Sequence, residues 1–188
     1  MTDRIVPLEK EKWQDYRLEY RATYHNYYDV EIVQANEGFR VSFVKKPFHT
    51  PLENNGHDKL FQPWWEDLKA WGIMEDGKLI AAIETEAEGW NNRLRITELW
   101  VDSNHRRQGI AKALMDRAVQ RARDEKRRAV VLETQSRNEG AIDFYLNYGF
   151  SLIGFDACAY QNDDMHRKEV RMEFGILLNY NPENSETR

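Results

Sequence analysis

The chain has 188 residues, of which 41% are hydrophobic and 12% aromatic, and its formal net charge is −5. These values suit one packed domain, and they argue against a disordered chain and against general affinity for nucleic acid. No apolar run approaches the ~20 residues that span a bilayer, no signal peptide is visible, and the single cysteine, Cys158, has no internal disulfide partner. We therefore expect a cytoplasmic protein with neither a nucleic-acid nor a membrane partner, in which Cys158 is a small core residue.

The first 23 residues predict a strand followed by a helix. Residues 4–8 have the pattern of a short strand, and residues 9–23 carry aromatic side chains at helical spacing. These aromatic residues are Trp13, Tyr16 and Tyr20. We therefore expect an amphipathic helix over residues 9–23.

Residues 30–66 predict two strands and then an irregular stretch. Residues 30–34 and 39–45 flank the turn sequence Asn-Glu-Gly, which is typical of two strands that follow one another. Residues 46–66 contain three prolines and the pair Trp64-Trp65. Because proline interrupts regular hydrogen bonding, we expect these residues to be irregular.

The second half of the chain alternates between strands and helices. In chain order we predict a strand at 69–75, a turn at Asp76-Gly77, strands at 79–86 and 94–101, a helix at 109–124, a strand at 129–133, a helix at 138–148 and strands at 150–160 and 169–178. The apolar stripe of the first helix consists of Ile110, Ala113, Leu114, Ala118 and Ala122. This order predicts an α/β fold with a mixed, mostly antiparallel sheet of about six to seven strands flanked by helices.

Positive charge is concentrated in one part of this acidic chain. Residues 104–128 contain nine lysines and arginines but only three acidic residues. A solvated helix face would account for some of this excess. A site for a polyanionic ligand would account for the clustering as well, and both interpretations stay open at this point.

Residues 106–112 have the features of an anion-binding helix start. The first amides of a helix have no partner within it and carry partial positive charge, which suits a phosphate or diphosphate. Gly109 would allow a close approach to the backbone, while Arg106, Arg107 and Lys112 add charge. The alternative is an ordinary basic helix start. Neither a Gly-x-Gly-x-x-Gly fingerprint nor a P-loop is present.

Two motifs resemble those of the GNAT superfamily of acetyl-CoA-dependent N-acetyltransferases. The sequence Arg-Arg-Gln-Gly-Ile-Ala at 106–111 resembles the pyrophosphate loop of that superfamily. The sequence Asn-Glu-Gly-Ala-Ile-Asp-Phe-Tyr-Leu-Asn-Tyr-Gly-Phe at 138–150 resembles its second motif, in the same order and spacing. The resemblance covers about residues 70–178 and implies the GNAT fold, in which a central parallel strand pair splays apart.

A closer resemblance is to the streptothricin acetyltransferases within that superfamily. The residues that carry it are Tyr28-Asp29-Val30, Gly38-Phe39, Ile83-Glu84, Trp90-Asn91, Leu132-Glu133-Thr134-Gln135, Asn138, Phe150, Leu152, Gly154, Asp156 and Tyr160. It implies as acceptor a small-molecule primary amine, the β-lysine amine of streptothricin-type antibiotics, and hence a role in antibiotic resistance. A protein, peptide or polyamine acceptor, or a module that senses acyl-CoA without catalysis, stays open as an alternative.

The resemblance implies acetyl-CoA as co-substrate and assigns residues to it. The backbone of the strand end Leu99-Trp100-Val101 would bind the pantetheine arm, and the pyrophosphate would lie at Arg106, Arg107, Gln108, Gly109, Ile110, Ala111 and Lys112. Asn138 would contact the cofactor arm. Tyr145 would lie near the thioester sulfur, where a phenol can protonate the leaving thiolate. The alternative for Tyr145 is a core aromatic residue with a satisfied hydroxyl.

A thioester is already activated, so we expect direct attack by a neutral amine within a ternary complex. The attacking amine must first lose a proton, and Glu98 and Glu84 are the candidate bases. Strand alternation puts Glu98 on the face opposite Thr97, Leu99 and Val101. For each glutamate the alternative is a solvated strand residue.

The acceptor-binding residues are predicted only from their chemistry. A cationic amine would bind carboxylates and aromatic faces, and the candidates are Asp29, Glu84, Trp90, Glu133 and Asp156. The five histidines have no paired metal-ligand spacing, so no metal is expected. A homodimer is compatible with the sequence.

We expect a single acetyltransferase domain over residues 1–178. Its residues 1–75 would form a variable, acceptor-side part, and its residues 76–178 the acetyl-CoA-binding core. Residues 179–188 would be a polar tail.

Overall fold

The computed structural model describes residues 4–178, so the expected tail at 179–188 lies outside the described residues. Its strands are β1 (Ile5–Leu8), β2 (Arg17–Ala35), β3 (Gly38–Lys59), β4 (Leu68–Glu75), β5 (Lys78–Glu88), β6 (Arg93–Val101), β7 (Ala129–Gln135), β8 (Ser151–Asp156) and β9 (Arg171–Leu177). Its helices are α1 (Lys10–Trp13), α2 (Ile110–Asp124), α3 (Glu139–Tyr148) and α4 (Asp164–Arg167), with a 3-10 helix at Ser103–His105.

Seven strands form one sheet in the order β1-β4-β5-β6-β7-β9-β8, and β2 and β3 form a separate two-stranded sheet. In the seven-stranded sheet, β1 pairs antiparallel with β4, β4 with β5, and β5 with β6, whereas β6 and β7 pair parallel. The parallel register joins Arg93 to Ala129, Leu94 to Val130 and Arg95 to Val131, so within the described residues it covers only the first third of β6. The predicted mixed, mostly antiparallel α/β sheet is confirmed.

Contacts between residues divide the chain into two compact units that alternate along the sequence. Of the described residues, the first unit contains 4–20, 56–132 and 175–178, and the second contains 21–55 and 133–174. The division of residues 1–178 into an acceptor-side part and a cofactor-side core stays a prediction.

The core of the first unit forms around β5. Every residue of β5 from Leu79 to Thr85 is buried, as expected for a strand that is covered on both faces. Helix α2 packs against β5 and β6, and its predicted apolar stripe is buried throughout. The sequence of α2 therefore forms a helix because one face is apolar at a period of 3.6 residues.

The predicted helix at residues 9–23 is wrong. Only α1 is helical there, and β2 begins at Arg17. Leu18 and Tyr24 are buried and the residues between them alternate in exposure, which is the period of a strand. Tyr20, one of the aromatic residues at helical spacing, also favours β-structure, and pairing of β2 with β3 selects the strand.

The irregular stretch predicted at residues 46–66 is also wrong over most of its length, because β3 continues to Lys59. Both strands of a two-stranded sheet are edge strands, where proline is tolerated. Pro47 and Pro51 therefore do not end β3. The predicted strand at 150–160 is confirmed only for Ser151–Asp156.

Candidate active site

The segment between β6 and α2 is fixed at its beginning by Asp102. The Asp102 N–H donates to the Ile80 carbonyl at 2.9 Å, and its carboxylate accepts from the Asn104 N–H at 2.9 Å. The carboxylate thereby caps the 3-10 helix, which leads into the predicted pyrophosphate loop.

Two residues of the loop have positive φ angles before α2 begins. Arg107 and Gly109 both have left-handed backbone conformations, with φ of 60° and 80°. The Ala113 N–H donates to the Gly109 carbonyl at 3.1 Å. The amides that precede Ala113 have no carbonyl four residues earlier within the helix, so they are the donors that an anion can use.

Gly109 has a conformational role in this turn. A Cβ added at this position would meet no heavy atom within 4 Å, but the positive φ is unfavourable for any other residue. The space that the predicted role requires in front of the backbone is therefore present at Gly109.

Part of the positive charge in residues 104–128 serves the fold. Arg121 is buried and donates to the carbonyl and hydroxyl oxygens of Thr85 at 3.0 and 2.7 Å. The guanidinium of Arg117 lies 4.4 Å from the ring centroid of Trp71, and Lys112 pairs with Asp116 at 2.8 Å. Near the loop itself, the Arg106 side chain donates to the Val101 carbonyl at 3.3 Å.

The predicted pantetheine strand is the end of β6. Leu99, Trp100 and Val101 pair with Ile83, Ala82 and Ala81 of β5. The Trp100 indole N–H donates to the Glu19 carbonyl at 2.7 Å, which fixes the position of this strand end.

A β-bulge in β6 brings three polar side chains together. Glu98 pairs with Glu84, but Ile96 pairs with Thr85, so Thr97 is an additional residue in β6. The Thr97 hydroxyl donates to Glu84 Oε1 at 2.8 Å. The expected alternation, with Thr97 and Glu98 on opposite faces, is therefore wrong at this point, because a bulge interrupts the period of two.

Glu84 is completely buried, and both its carboxylate oxygens accept hydrogen bonds. The second donor is the Phe61 N–H, at 2.6 Å from Oε2. Burial raises the pKa of the Glu84 carboxyl, and these two hydrogen bonds act in the opposite direction. Its contacts are those of a carboxylate that holds β6 and the residues after β3 in place.

Glu98 is half-buried and lies opposite Glu84. Burial raises the pKa of the Glu98 carboxyl well above its ordinary value of 4.5, and the negative charges of Asp58 and Glu84 raise it further. Desolvation also raises the pKa of Asp58. The sequence did not predict a role for Asp58, because residues 46–66 were expected to be irregular and no local pattern marks this residue.

In the second unit, the residues of the second motif shape helix α3. The Asn138 side chain caps the helix, accepting from the Ala141 N–H at 3.4 Å and donating to the Thr134 hydroxyl at 3.2 Å. Tyr145 is buried, and its ring centroid lies 6.0 Å from that of Phe150 and 6.1 Å from that of Phe174. These contacts agree with the structural alternative for Tyr145 and leave its predicted chemical role untested.

The predicted acceptor carboxylates of the second unit each have a different partner. Asp29 pairs with Lys46 at 2.6 Å and with Lys168 at 2.8 Å, and both lysines lower its pKa. Glu133 pairs with Arg171, whereas Asp156 accepts from the Cys158 N–H at 2.9 Å. Each of these three carboxylates is therefore held by a partner of its own.

Two further residues from the sequence analysis, Trp90 and Cys158, are exposed to solvent. Trp90, in the first unit, lies in the turn after β5 and is 88% exposed. Cys158, which was expected in the core, is exposed, because it follows β8 in a turn.

Neither a metal site nor a membrane-spanning helix is found in the part of the chain that the structure describes. Between residues 4 and 178, no group of three or more histidine, cysteine or acidic side chains is arranged to hold a metal ion. No helix in the same range combines the length and the apolar character that are needed to cross a membrane.

The chain belongs to the acetyltransferase (GNAT) family, whose sequence model matches residues 39–150. It is similar to a streptothricin acetyltransferase from Escherichia coli, with 31% identity over 107 residues. That match covers 57% of this chain and 61% of the relative, so the chain spans less than two thirds of the relative's length.

Two solved structures share the fold over nearly their whole length. The crystal structure of nourseothricin acetyltransferase has a TM-score of 0.71 and 23% identity, covering 93% of this chain and 97% of that chain. A streptothricin acetyltransferase described as putative, from Bacillus anthracis and in complex with acetyl coenzyme A, has a TM-score of 0.67 and 20% identity, covering 93% and 98%. The GNAT fold is therefore shown.

Proposed function

We propose that this protein transfers the acetyl group of acetyl-CoA to a primary amine of a small molecule. The observation that supports this most strongly lies within the first unit. A helix start with donor amides follows a strand that carries Glu98, a half-buried carboxylate whose pKa is raised. Such a helix start suits the diphosphate of coenzyme A, and such a carboxylate suits a proton acceptor.

The residues of the loop fit a diphosphate. The amides of 108–112 would donate to its oxygens, and Arg106, Arg107 and Lys112 would supply positive charge. The backbone of Leu99-Trp100-Val101 would bind the pantetheine arm. On the basis of the second motif, Asn138 would contact the cofactor arm. Acetyl-CoA supplies the activated acyl group, and a metal ion has no role in the proposed reaction.

Glu98 would act as the general base. An alkyl ammonium ion would transfer its proton to the Glu98 carboxylate, directly or through water. The amine nitrogen would then attack the carbonyl carbon of the thioester, the C–S bond would break, and Tyr145 would protonate the departing thiolate. The nitrogen would lose its second proton, which would return through water to the Tyr145 phenolate, and Glu98 would release its proton to solvent. Because both oxygens of Glu84 already accept hydrogen bonds, we assign Glu84 to positioning Thr97 beside Glu98, and Glu98 alone to the role of the base.

For the acceptor we propose the β-lysine amine of a streptothricin-type antibiotic. The support is the similarity to streptothricin acetyltransferases in sequence and fold. The proposed acceptor residues are Asp29, Trp90, Glu133 and Asp156. Glu84, the fifth candidate from the sequence, is completely buried with both oxygens hydrogen-bonded, so we do not propose it as an acceptor contact. Resistance to such an antibiotic would follow if its amine is acetylated.

The proposal is tested by measuring the release of coenzyme A from acetyl-CoA with a panel of amines. The panel contains streptothricin, a polyamine, a peptide with a free N-terminus and no acceptor. Turnover with streptothricin well above that with the other amines is expected. Turnover only with the peptide or the polyamine would contradict the proposed acceptor, and binding of acetyl-CoA without turnover of any amine would contradict the catalytic role.

A further inference from the structure

His105 lies between two carboxylates immediately before the pyrophosphate loop. Its Nδ1 is 3.0 Å from Asp102 Oδ1, and its Nε2 is 2.9 Å from Glu75 Oε2. Glu75 ends β4, and Asp102 follows β6. The ring is only 24% exposed, compared with 52% for the Glu75 side chain. His105 therefore connects the end of β4 to the segment that carries the loop.

This arrangement requires a charged imidazole. A neutral imidazole has one N–H donor and one acceptor nitrogen, and an ionised carboxylate can only accept. Both short contacts can be hydrogen bonds at the same time only if His105 is protonated on both nitrogens. When the ring loses a proton, one of the two contacts becomes a repulsion between an acceptor nitrogen and a carboxylate oxygen.

The surrounding charges favour the protonated form of His105. The hydrogen bonds that the His105 ring donates to the carboxylates of Glu75 and Asp102 raise the pKa of His105 above its ordinary value of 6.5, and His105 in turn lowers the pKa of Asp102. Lys78 is the cross-strand neighbour of Glu75, and Arg106 follows His105 in the chain. The contribution of the bridge is therefore complete below the ordinary value and is lost as the pH rises through the raised pKa.

We propose that His105 is a positioning residue for the pyrophosphate loop, and that its imidazolium bridge from Asp102 to Glu75 holds residues 106–109 in the conformation that binds a diphosphate. This inference rests on the proposed function, because it concerns the affinity for coenzyme A. Loss of the bridge releases one of the anchors of the segment, while Asp102 keeps its own hydrogen bonds to Ile80 and Asn104.

The test measures coenzyme A binding by calorimetry from about pH 6 to about pH 9, on either side of the ordinary histidine pKa. Wild type is compared with His105→Gln, whose amide can donate to only one carboxylate at any pH. Glu75→Gln is the milder second variant, because it changes an exposed side chain and leaves the histidine in place. The pKa of His105 is measured in parallel by NMR, with and without coenzyme A.

The wild-type affinity should fall with rising pH by up to about fivefold more than that of His105→Gln, the modest effect expected of an ion pair that solvent reaches. The pKa of His105 should be lower in Glu75→Gln. By linkage, it should rise in the wild type when coenzyme A binds. Comparison with the variant removes the titration of the ligand itself.

Two results would overturn the inference. Identical pH profiles for wild type and His105→Gln would show that the bridge does not act on the loop, although coenzyme A still binds as proposed. A wild type that binds no coenzyme A at any pH would overturn the proposed function and, with it, the positioning role.

Discussion

Replacing Glu98 with glutamine should separate catalysis from stability. The variant keeps the shape of the side chain but cannot accept a proton from the ammonium ion. Loss of a positioned general base typically lowers the rate by about 10²- to 10⁴-fold, so kcat should fall by that factor. Since acetyl-CoA contacts other residues in the proposal, its KM should change little.

The same substitution should stabilise the folded protein. Burial and the neighbouring carboxylates raise the pKa of Glu98, so the folded state favours its protonated form. The penalty for ionised Glu98 is absent at low pH and grows as the pH rises from 4.5 to the raised pKa, by about 1.4 kcal/mol per unit of pKa shift. A glutamine carries no charge, so the free energy of unfolding at neutral pH should increase.

Glu84→Gln is the matched control for this experiment. The glutamine amide oxygen can accept from the Phe61 N–H, and its NH₂ group can donate to the Thr97 hydroxyl, which accepts as well as donates. This variant should therefore keep both hydrogen bonds and lower kcat far less than Glu98→Gln does. An equal loss of kcat in the two variants would contradict the assignment of the base to Glu98.

The assays are the pH dependence of kcat/KM and denaturant unfolding at neutral pH. In the wild type kcat/KM should rise with pH through the raised pKa of Glu98, and this limb should be absent in Glu98→Gln. A Glu98→Gln protein with wild-type kcat and an unchanged pH profile would refute the assignment of the base. A loss of stability in Glu98→Gln would refute the inferred desolvation.

Three further predictions concern the cofactor residues. Gly109→Ala should cost about 1–2 kcal/mol of stability because of the positive φ, and should raise the KM for acetyl-CoA; an unchanged KM would contradict the role of the loop. Asn138→Ala should lower the free energy of unfolding by about 1 kcal/mol through loss of the α3 cap, measured with denaturant, and unchanged stability would show that the cap is dispensable. Tyr145→Phe keeps the buried ring, so stability should change little while kcat falls by about 10²-fold or more; wild-type kcat would leave Tyr145 with only a packing role.

The elements around the pyrophosphate loop could be predicted because their signals are local. The apolar stripe of α2 repeats at the helical period, and Gly109 and Gly149 each lie at a helix end in a left-handed conformation. A local period and a residue that tolerates positive φ are readable without tertiary information. The boundaries of α2 and α3 agree with the prediction for the same reason.

The surroundings of Glu98 could not be predicted, because they depend on cross-strand register. The bulge at Thr97 becomes apparent only from the pairing of β6 with β5. Because of it, Thr97 and Glu98 do not lie on opposite faces of the strand, as simple alternation predicts. The negative charge of Asp58, which lies in β3, raises the pKa of Glu98. The prolines of this segment had led us to predict an irregular stretch there instead of a strand. Pairing of β2 with β3 likewise outweighs the helical spacing at Tyr20.

The most direct measurement is a crystal structure of the protein with coenzyme A. We expect the diphosphate oxygens within about 3 Å of the amide nitrogens of residues 108–112. A diphosphate bound elsewhere, with these amides facing protein or solvent, would contradict the proposed acetyl-CoA site and the transfer reaction that depends on it.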